Sequence, residues 1–298
     1  MICVLMSTFN GERYLREQID SILSQKETDV TLIVRDDGST DSTLDILEEY
    51  STVGKLSYYS DGESLGPQHS FMRMLNQAPK ADYYAFSDQD DVWLEDKLST
   101  AIHWLKTDLL NPLGLYFCQT KLVDKDLNEL HQITIRPYCT FGESLIYKFI
   151  GGCTIVITQQ LRNVLCDHTP QYLPMHDIWV YAVAQALDAK IHFDPVPHIL
   201  YRQHGGNAIG QGHSFWYNIR LRWRRFTKRR NERWAQAYEL LSTYYDDIPD
   251  KQLQLLQLFV KGKHSFLQRI RIVRNHELRC ADKLTQYLFW VHVLFNTY

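Results

Sequence analysis

The chain has 298 residues, of which 45% are hydrophobic and 22% are charged, and its net charge is −3. This composition is that of an ordinary globular protein, and it excludes a disordered or fibrous chain. The charge is unevenly placed, because from Gln211 onward 16 Lys and Arg stand against 7 Asp and Glu, giving +9 there and −12 in the remainder. The six cysteines show no CxxC pair and no zinc spacing, which favours buried free thiols over disulfides or a zinc site.

The first part of the chain alternates between strand and helix patterns. In chain order, the sequence predicts a strand over 2–6, a helix over 11–24, a strand over 30–34, a helix over 42–50, a weaker strand over 55–59, a helix over 68–76 and a strand over 83–87. Apolar residues at helical spacing support the helices, and short apolar runs support the strands. Such alternation is typical of a parallel, doubly wound α/β sheet.

The pattern is mixed beyond residue 93. The sequence predicts a helix over 97–108, a strand over 113–122, a strand in the run 149–157, a helix over 176–187 and short strands over 190–193 and 198–201. The paired glycines Gly151 and Gly152 indicate close approach of a ligand or of another backbone. Further helices are predicted over 252–259, 266–273 and 284–295. The change in composition near residue 210 divides the chain into two predicted domains, 1–210 and 211–298.

Two acidic clusters each follow an apolar run. Asp88, Asp90 and Asp91 come after the run 83–86, and Asp36 and Asp37 come after the run 30–34. Crowded carboxylates repel one another, and their natural partner is a divalent cation that also carries phosphate. An open α/β sheet binds nucleotides at the carboxyl ends of its strands. The two clusters together therefore predict a metal and nucleotide site at one edge of the sheet.

Five motifs carry a family resemblance. They are MSTFNGE at 6–12, RDDGSTD at 35–41, SLG at 64–66, SDQDDVW at 87–93 and MHD at 175–177. In this order they resemble family 2 glycosyltransferases of the GT-A fold, which have a Rossmann-like, mostly parallel central sheet flanked by helices. With YRQHGGN at 201–207, they are similar to the bacterial rhamnosyltransferases of cell-wall and O-antigen polysaccharide synthesis. The resemblance covers roughly residues 2–210 and leaves a basic, mostly helical C-terminal extension.

The resemblance implies an inverting, metal-dependent transfer of a sugar, with L-rhamnose from dTDP-β-L-rhamnose as the expected donor group. The expected acceptor is a growing bacterial surface polysaccharide or an undecaprenyl-diphosphate-linked glycan. Asp177 is implied as the catalytic base, and Asp90 and His204 as ligands of Mn²⁺ or Mg²⁺. Contacts with the nucleotide sugar are implied for Thr8, Asn10, Glu12, Asp36, Asp37, Gly66, Asp88, Gln89, Asp91, Trp93, Gly152, His176 and Arg202.

Several of these residues have simpler explanations. Asp36 and Asp41 are also good turn and helix-cap residues, and Asp177 could be no more than the N-cap of its helix. A histidine in a polar loop, such as His204, is often merely exposed. Similar enzymes commonly have a Glu-Asp pair at the start of this helix, whereas this chain has His176 before its aspartate.

Three other functions remain open on the sequence. A UDP-hexose could replace the rhamnose donor, because thymine and uracil present similar hydrogen-bonding edges. A nucleotidyltransferase would be expected to carry a glycine-rich basic loop after its first strand, which the segment 7–13 fits poorly. A non-catalytic carbohydrate-binding or membrane-binding homologue would not need its acidic residues.

The basic C-terminal region suggests a partner. From about residue 215, aromatic residues including Trp216, Trp223 and Phe226 interleave with arginines and lysines. A basic amphipathic helix of this kind suits an anionic membrane surface, although it could also pack on the body or form a homodimer. We expect no nucleic-acid partner, since no binding module accompanies the charge. Without a leader or an apolar run near twenty residues, the expected location is cytoplasmic and peripheral on the inner face of the cell membrane.

Overall fold

A computed structural model of the chain describes residues 1–26, 28–106, 111–132, 140–146, 150–203 and 231–298. Its strands form one sheet in the order β3-β2-β1-β4-β7-β6-β8-β5. The strands are β1 Ile2–Thr8, β2 Val30–Asp36, β3 Ser57–Ser60, β4 Tyr83–Ser87, β5 Val92–Trp93, β6 Gly114–Val123, β7 Val156–Thr158 and β8 Lys190–Arg202.

Helices cover both faces of this sheet. Those before residue 203 are α1 Leu15–Leu23, α2 Thr43–Thr52, α3 Gly66–Gln77, α4 Lys97–Lys106, α5 Phe141–Ser144, α6 Gln159–Cys166 and α7 His176–Ala186. The C-terminal helices are α8 Glu232–Thr243, α9 Asp250–Lys261, α10 Phe266–Arg274 and α11 Lys283–Leu294. The sheet flanked by helices confirms the predicted α/β class.

The parallel part of the sheet places the predicted site. Strand β1 lies between β2 and β4 and is parallel to both, and β2 is parallel to β3. In register, Thr8 is opposite Asp36, and Met6 is opposite Ser87. The carboxyl ends of β1, β2 and β4 therefore meet at one edge, and both acidic clusters follow strands that end there.

The rest of the sheet is mixed. Strand β7 is antiparallel to β4 and β6, while β6 and β8 are parallel to one another. The prediction of two short strands over 190–193 and 198–201 is wrong, because β8 runs unbroken from Lys190 to Arg202. Pro195 and Pro197 lie between the two predicted strands, and the register shifts there, so that Cys118 pairs with Asp194 and Gln119 with Pro197. Helix α6 was not predicted.

The C-terminal helices share a core with the sheet. Leu240 of α8, Phe259 of α9 and Phe289 of α11 belong to the same buried cluster as Phe86 of β4 and Trp179 of α7. The predicted domain boundary near residue 210 and the basic aromatic segment up to residue 230 lie outside the described residues. In the described part of the chain, none of the helices has the length and apolar character needed to cross a bilayer.

This shared core predicts how truncation of Leu240 affects folding. We expect Leu240→Ala to lower the free energy of unfolding by about 2–5 kcal/mol, because the buried side chain leaves a cavity. Leu267→Ala is the control, since that side chain is 72% exposed and its loss costs at most about 0.5 kcal/mol. Urea unfolding followed by circular dichroism measures both. Equal effects of the two substitutions would show that α8 is not part of the core.

Candidate active site

The end of β2 forms a turn around the carboxylate of Asp36. This carboxylate accepts hydrogen bonds from Thr8 Oγ1 at 3.2 Å and from the backbone N–H groups of Gly38 at 3.0 Å and Ser39 at 2.9 Å. The Ser39 hydroxyl donates a fourth. An ionised carboxylate can accept about four hydrogen bonds, and Thr8 together with the turn residues Gly38 and Ser39 donates four. Asp36 thus has the turn-forming role that the sequence left open, and its contact with a nucleotide stays a prediction.

Three other predicted contact residues hold neighbouring turns together. Asn10 and Glu12 each accept a backbone N–H from the segment 40–42, at 2.8 and 2.9 Å. The side-chain amide of Gln89 pairs with the backbone of Phe9 in both directions, at 2.8 and 3.0 Å. The turns after β1, β2 and β4 are thereby linked into one rigid edge.

Asp37 is part of a buried ion pair. The Arg35 guanidinium donates to it at 2.5 Å, and the backbone N–H groups of Leu65 and Gly66 donate at 2.7 and 2.9 Å. Burial alone would raise the pKa of Asp37, but these hydrogen bonds lower it below the ordinary value. Gly66 has φ +72°, which favours glycine. Arg35 follows the predicted strand 30–34, and only the fold shows that it extends β2 and is fully buried beside Asp37.

The turn after β4 brings several carboxylates close together. Oxygen atoms of Asp88 and Asp91 and the sulfur of Cys153 all lie within 4.8 Å of one another. Burial, followed by the charges of Asp90 and Asp177, raises the pKa of Asp88. Burial, followed by Asp90 and Asp88, raises the pKa of Asp91 well above its ordinary value. These groups cannot all ionise at neutral pH without a compensating cation.

The carboxylates of this turn fit a divalent metal ion. Within the described residues, Oδ2 of Asp91 is buried and accepts no hydrogen bond. Hard cations such as Mg²⁺ and Mn²⁺ prefer carboxylate oxygens. Burial raises the pKa of Cys153 well above its ordinary value, and hard cations prefer carboxylate oxygen to sulfur, so the carboxylates are the better ligands. Of the predicted metal ligands, Asp90 lies beside these groups, and His204 lies outside the described residues.

Arg202 fixes the position of this acidic turn. Its backbone N–H donates to Oδ1 of Asp91 at 3.1 Å, and its Nε donates to the carbonyl of Asp90 at 2.8 Å. The guanidinium also pairs with Glu17 and lies 4.4 Å from the ring centre of Tyr14. Because the side chain is buried in these contacts, Arg202 has a positioning role in this structure, and its predicted contact with the donor stays a prediction.

Trp93 and Lys97 lie beneath the turn. The Trp93 ring is 2% exposed and the Lys97 ammonium lies 3.6 Å from its centre, so the structure places Trp93 in the core. Its contact with the nucleotide sugar stays a prediction. Burial lowers the pKa of Lys97 to about 8, although the charge of Asp91 opposes the shift. Lys97 was missed from the sequence, because only the fold shows that it lies behind the carboxylates.

Asp177 approaches the same turn from the other side. It is in the first turn of α7, and its pKa is raised to about 6 by burial, even though the N–H groups of Ile178 and Gly152 stabilise its charge. The Ile178 bond measures 2.7 Å. The charge of Asp177 in turn raises the pKa of Asp88, so the two carboxylates interact across the site. The role of Asp177 as the catalytic base stays a prediction.

His176 packs into an aromatic pocket rather than facing solvent. It is 3% exposed, and its ring centre lies 4.1 Å from that of Phe71. Burial lowers the pKa of His176 to about 3, so the imidazole is neutral. An added Cβ at Gly152 would lie 2.5 Å from His176 Nε2 and 3.4 Å from the Cβ of Asp177. Gly152 therefore allows the close approach of the His176 side chain, whereas the paired glycines predicted a ligand or another backbone at this point.

Gly152 offers a direct test of this packing. We expect Gly152→Ala to lower the free energy of unfolding by about 1–3 kcal/mol, because the methyl group overlaps the imidazole of His176. Gly151→Ala is the matched control, since its Cβ would be 3.6 Å from the nearest side-chain atom, an ordinary contact. Thermal and urea unfolding measure both variants. A Gly152→Ala protein as stable as the Gly151→Ala protein would contradict this packing.

Comparisons with known proteins place the chain in a family. The family "Glycosyl transferase family 2" matches residues 3–156. The chain is 32% identical over 232 residues to the dTDP-rhamnosyl transferase RfbG of Shigella flexneri, covering 70% of this chain and 75% of RfbG. It is 22% identical to the Escherichia coli UDP-Glc:alpha-D-GlcNAc-diphosphoundecaprenol beta-1,3-glucosyltransferase WfaP, covering 70% of this chain and 79% of WfaP.

The fold has a counterpart among solved structures. Staphylococcus aureus TarS, residues 1–349 in complex with UDP-GlcNAc, superposes with a TM-score of 0.57 at 17% identity, covering 99% of this chain and 88% of TarS. At that identity the likeness concerns the fold alone, which is the GT-A fold expected from the motifs. The family match extends from β1 to β7, and the similarity to RfbG covers 70% of the chain. The chain therefore belongs to glycosyl transferase family 2.

Proposed function

We propose that the protein is an inverting glycosyltransferase that moves L-rhamnose from dTDP-β-L-rhamnose onto a lipid-linked or growing bacterial surface polysaccharide. The observation that carries the proposal is the meeting of Asp177 with the acidic turn of Asp88, Asp90 and Asp91 at the carboxyl edge of the sheet. The similarity to RfbG supports the choice of rhamnose.

The acidic turn forms the donor side of the proposed site. Asp90, with Asp88 or Asp91 beside it, would hold Mn²⁺ or Mg²⁺, and His204 is a further proposed ligand. When bound, the cation supplies a Lewis acid that neutralises the charge of the departing diphosphate. Arg202 holds the turn in place for this purpose through its bonds to Asp90 and Asp91.

Asp177 forms the acceptor side. The acceptor hydroxyl gives its proton to the Asp177 carboxylate while its oxygen bonds to the anomeric carbon, and the bond from that carbon to the diphosphate oxygen breaks on the opposite face. A single displacement of this kind inverts the anomeric configuration. The pKa of about 6 suits this role, since the group is ionised at neutral pH and is basic enough to take a proton.

The neighbours of Asp177 support its role as a base. The preceding residue, His176, packs among the rings of Phe71 and Phe86, and burial raises the pKa of the Asp177 carboxylate. The N–H groups of Ile178 and Gly152 stabilise its charged form, which limits how far burial raises the pKa. His176 itself is a positioning residue in this proposal, because a neutral imidazole buried among aromatic rings is a poor acid or base at neutral pH.

The proposal includes a location and a partner. An undecaprenyl-diphosphate-linked acceptor would be found at the inner face of the cell membrane, and the basic C-terminal region suits an anionic leaflet. WfaP, whose name includes a diphosphoundecaprenol-linked acceptor, supports this class of acceptor. The second candidate donor is a UDP-hexose, which is favoured by the UDP-Glc named for WfaP and by the UDP-GlcNAc bound to TarS.

A substitution at Asp177 tests the mechanism. We expect Asp177→Asn to lower kcat by about 10²–10⁴-fold while the Kd of the donor changes little, because the amide cannot accept the proton. In the wild type, protonation of Asp177 removes the base, so kcat falls about tenfold per unit as the pH drops below about 6. The measurement is steady-state turnover against pH, together with donor titration by calorimetry.

Asp167→Asn provides the control for that experiment, since Asp167 is an exposed carboxylate at the end of α6. Its turnover and pH profile are expected to match those of the wild type. Near-normal turnover of Asp177→Asn, with the acidic limb of the pH profile retained, would exclude Asp177 as the base.

A ligand panel tests the donor and the metal. We expect dTDP-rhamnose with Mn²⁺ to raise the melting temperature by several degrees, and EDTA to abolish the rise, because a ligand that binds only the folded state stabilises it. Asp90→Asn is expected to lose the metal-dependent part. UDP-glucose and GDP-mannose serve as the comparison donors. A rise with UDP-sugars alone would favour the second donor, and no response to any donor would favour a non-catalytic homologue.

A further inference from the structure

The C-terminal helices expose four large hydrophobic side chains near the turn that precedes α10. Phe266 and Leu267, at the start of α10, are 56% and 72% exposed, and Leu294 and Phe295, at the end of α11, are 41% and 76% exposed. We call these four residues the C-terminal apolar patch. Large side chains left in water side by side commonly mark an interaction surface.

Hydrogen bonds bring the two halves of the patch together. The Lys263 ammonium donates to the carbonyl of Asn296 at 3.2 Å, and the Asn296 side-chain amide donates back to the carbonyl of Lys263 at 3.1 Å. These bonds fix the turn before α10 against the end of α11. The four exposed residues therefore lie within a few sequence positions of the Lys263–Asn296 contact.

The surroundings of the patch are strongly basic. The segment 261–274 contains five basic residues and no acidic residue. Among them, Lys261, Arg271 and Arg274 are exposed. An exposed apolar surface with basic residues around it is the pattern of a protein that lies on an anionic bilayer, where apolar side chains enter the interface and basic groups meet the phosphates.

We propose that the C-terminal apolar patch docks on a bilayer surface that carries anionic headgroups. The inference deepens the membrane partner of the proposed function and rests on that function for its biological purpose. A second copy of the chain fits the patch less well, because a symmetric contact would place the same basic segments against one another. Charge complementarity therefore selects lipid over self-association.

A second set of contacts involves Asn231, which packs against the same turn. Asn231, the residue that follows the segment 215–230, donates its backbone N–H to the carbonyl of Thr297 at 3.2 Å. Its side chain accepts a hydrogen bond from Lys263. Asn231 therefore lies at the turn that carries the patch.

Vesicle binding by the full chain tests the inference. The probes are vesicles of phosphatidylcholine alone and vesicles with about one third phosphatidylglycerol, separated by sedimentation. We expect Leu267→Glu/Phe295→Glu to lower the bound fraction on anionic vesicles about tenfold, because a charged side chain is costly in the apolar interface. The control is Val53→Glu/Val196→Glu, which changes two hydrophobic residues that are 68% and 54% exposed elsewhere, and its binding is expected to be that of the wild type.

A charge variant completes the design. Lys261→Glu/Arg271→Glu is expected to weaken binding to anionic vesicles, and salt raised from about 0.1 M to about 0.5 M is expected to weaken wild-type binding, since the headgroup charge is screened. Melting temperatures show that the variants fold. Calorimetric binding of dTDP-rhamnose is expected to stay unchanged in all of them, which separates this test from that of the proposed function.

Three results would overturn the inference. The first is a lack of wild-type binding to anionic vesicles, or equal binding to neutral vesicles. The second is unchanged binding of the Leu267→Glu/Phe295→Glu protein, which would assign the interaction to the basic segment 215–230. The third is a wild-type dimer, measured by light scattering, that this variant alone breaks, which would assign the patch to a second copy.

Discussion

The crowding of carboxylates at the end of β4 is the constraint on which the rest of the structure depends. Burial and the charge of Asp90 raise the pKa of both Asp88 and Asp91, and a fold would normally avoid such repulsion in a buried place. Here the Arg202 backbone N–H donates to Asp91, and the charge of the buried Lys97 ammonium interacts favourably with that carboxylate. Local unfavourable electrostatics that the surrounding structure maintains are typical of a functional site.

Hydrogen bonds from side chains to backbone groups hold the turns at this edge of the sheet. The side chains of Asp36, Asn10, Glu12 and Gln89 point at backbone groups of adjoining turns and satisfy them. These residues resemble the motifs of a binding site, yet in the structure their bonds hold the frame. Because these bonds already order the turns, little further ordering is needed when a ligand binds. The residues that support a site can therefore be as characteristic of a family as the residues that contact the ligand.

The sequence predicted the parallel part of the fold well because that part depends on local patterns. Apolar runs and helical spacing mark β1 to β4, and the acidic residues follow strands that the topology brings to one edge. The features that the sequence did not predict concern long-range partners. The burial of Trp93, the continuity of β8 and the roles of Arg35 and Lys97 depend on which residues pack against them, and no local pattern contains that information.

The C-terminal helices are connected to the proposed chemistry by packing. Helix α7 carries Asp177, and it is apolar nearly all round because the sheet covers one side and the C-terminal helices another. Glu239 of α8 also accepts the backbone N–H groups of Gln171 and Tyr172, in the loop that leads to α7. A surface that docks α10 and α11 therefore orients Asp177 as well, since densely packed elements move together. On a bilayer, this connection would hold the acceptor side of the site at a fixed height and angle above the lipid, which is what an enzyme acting on a membrane-anchored glycan requires.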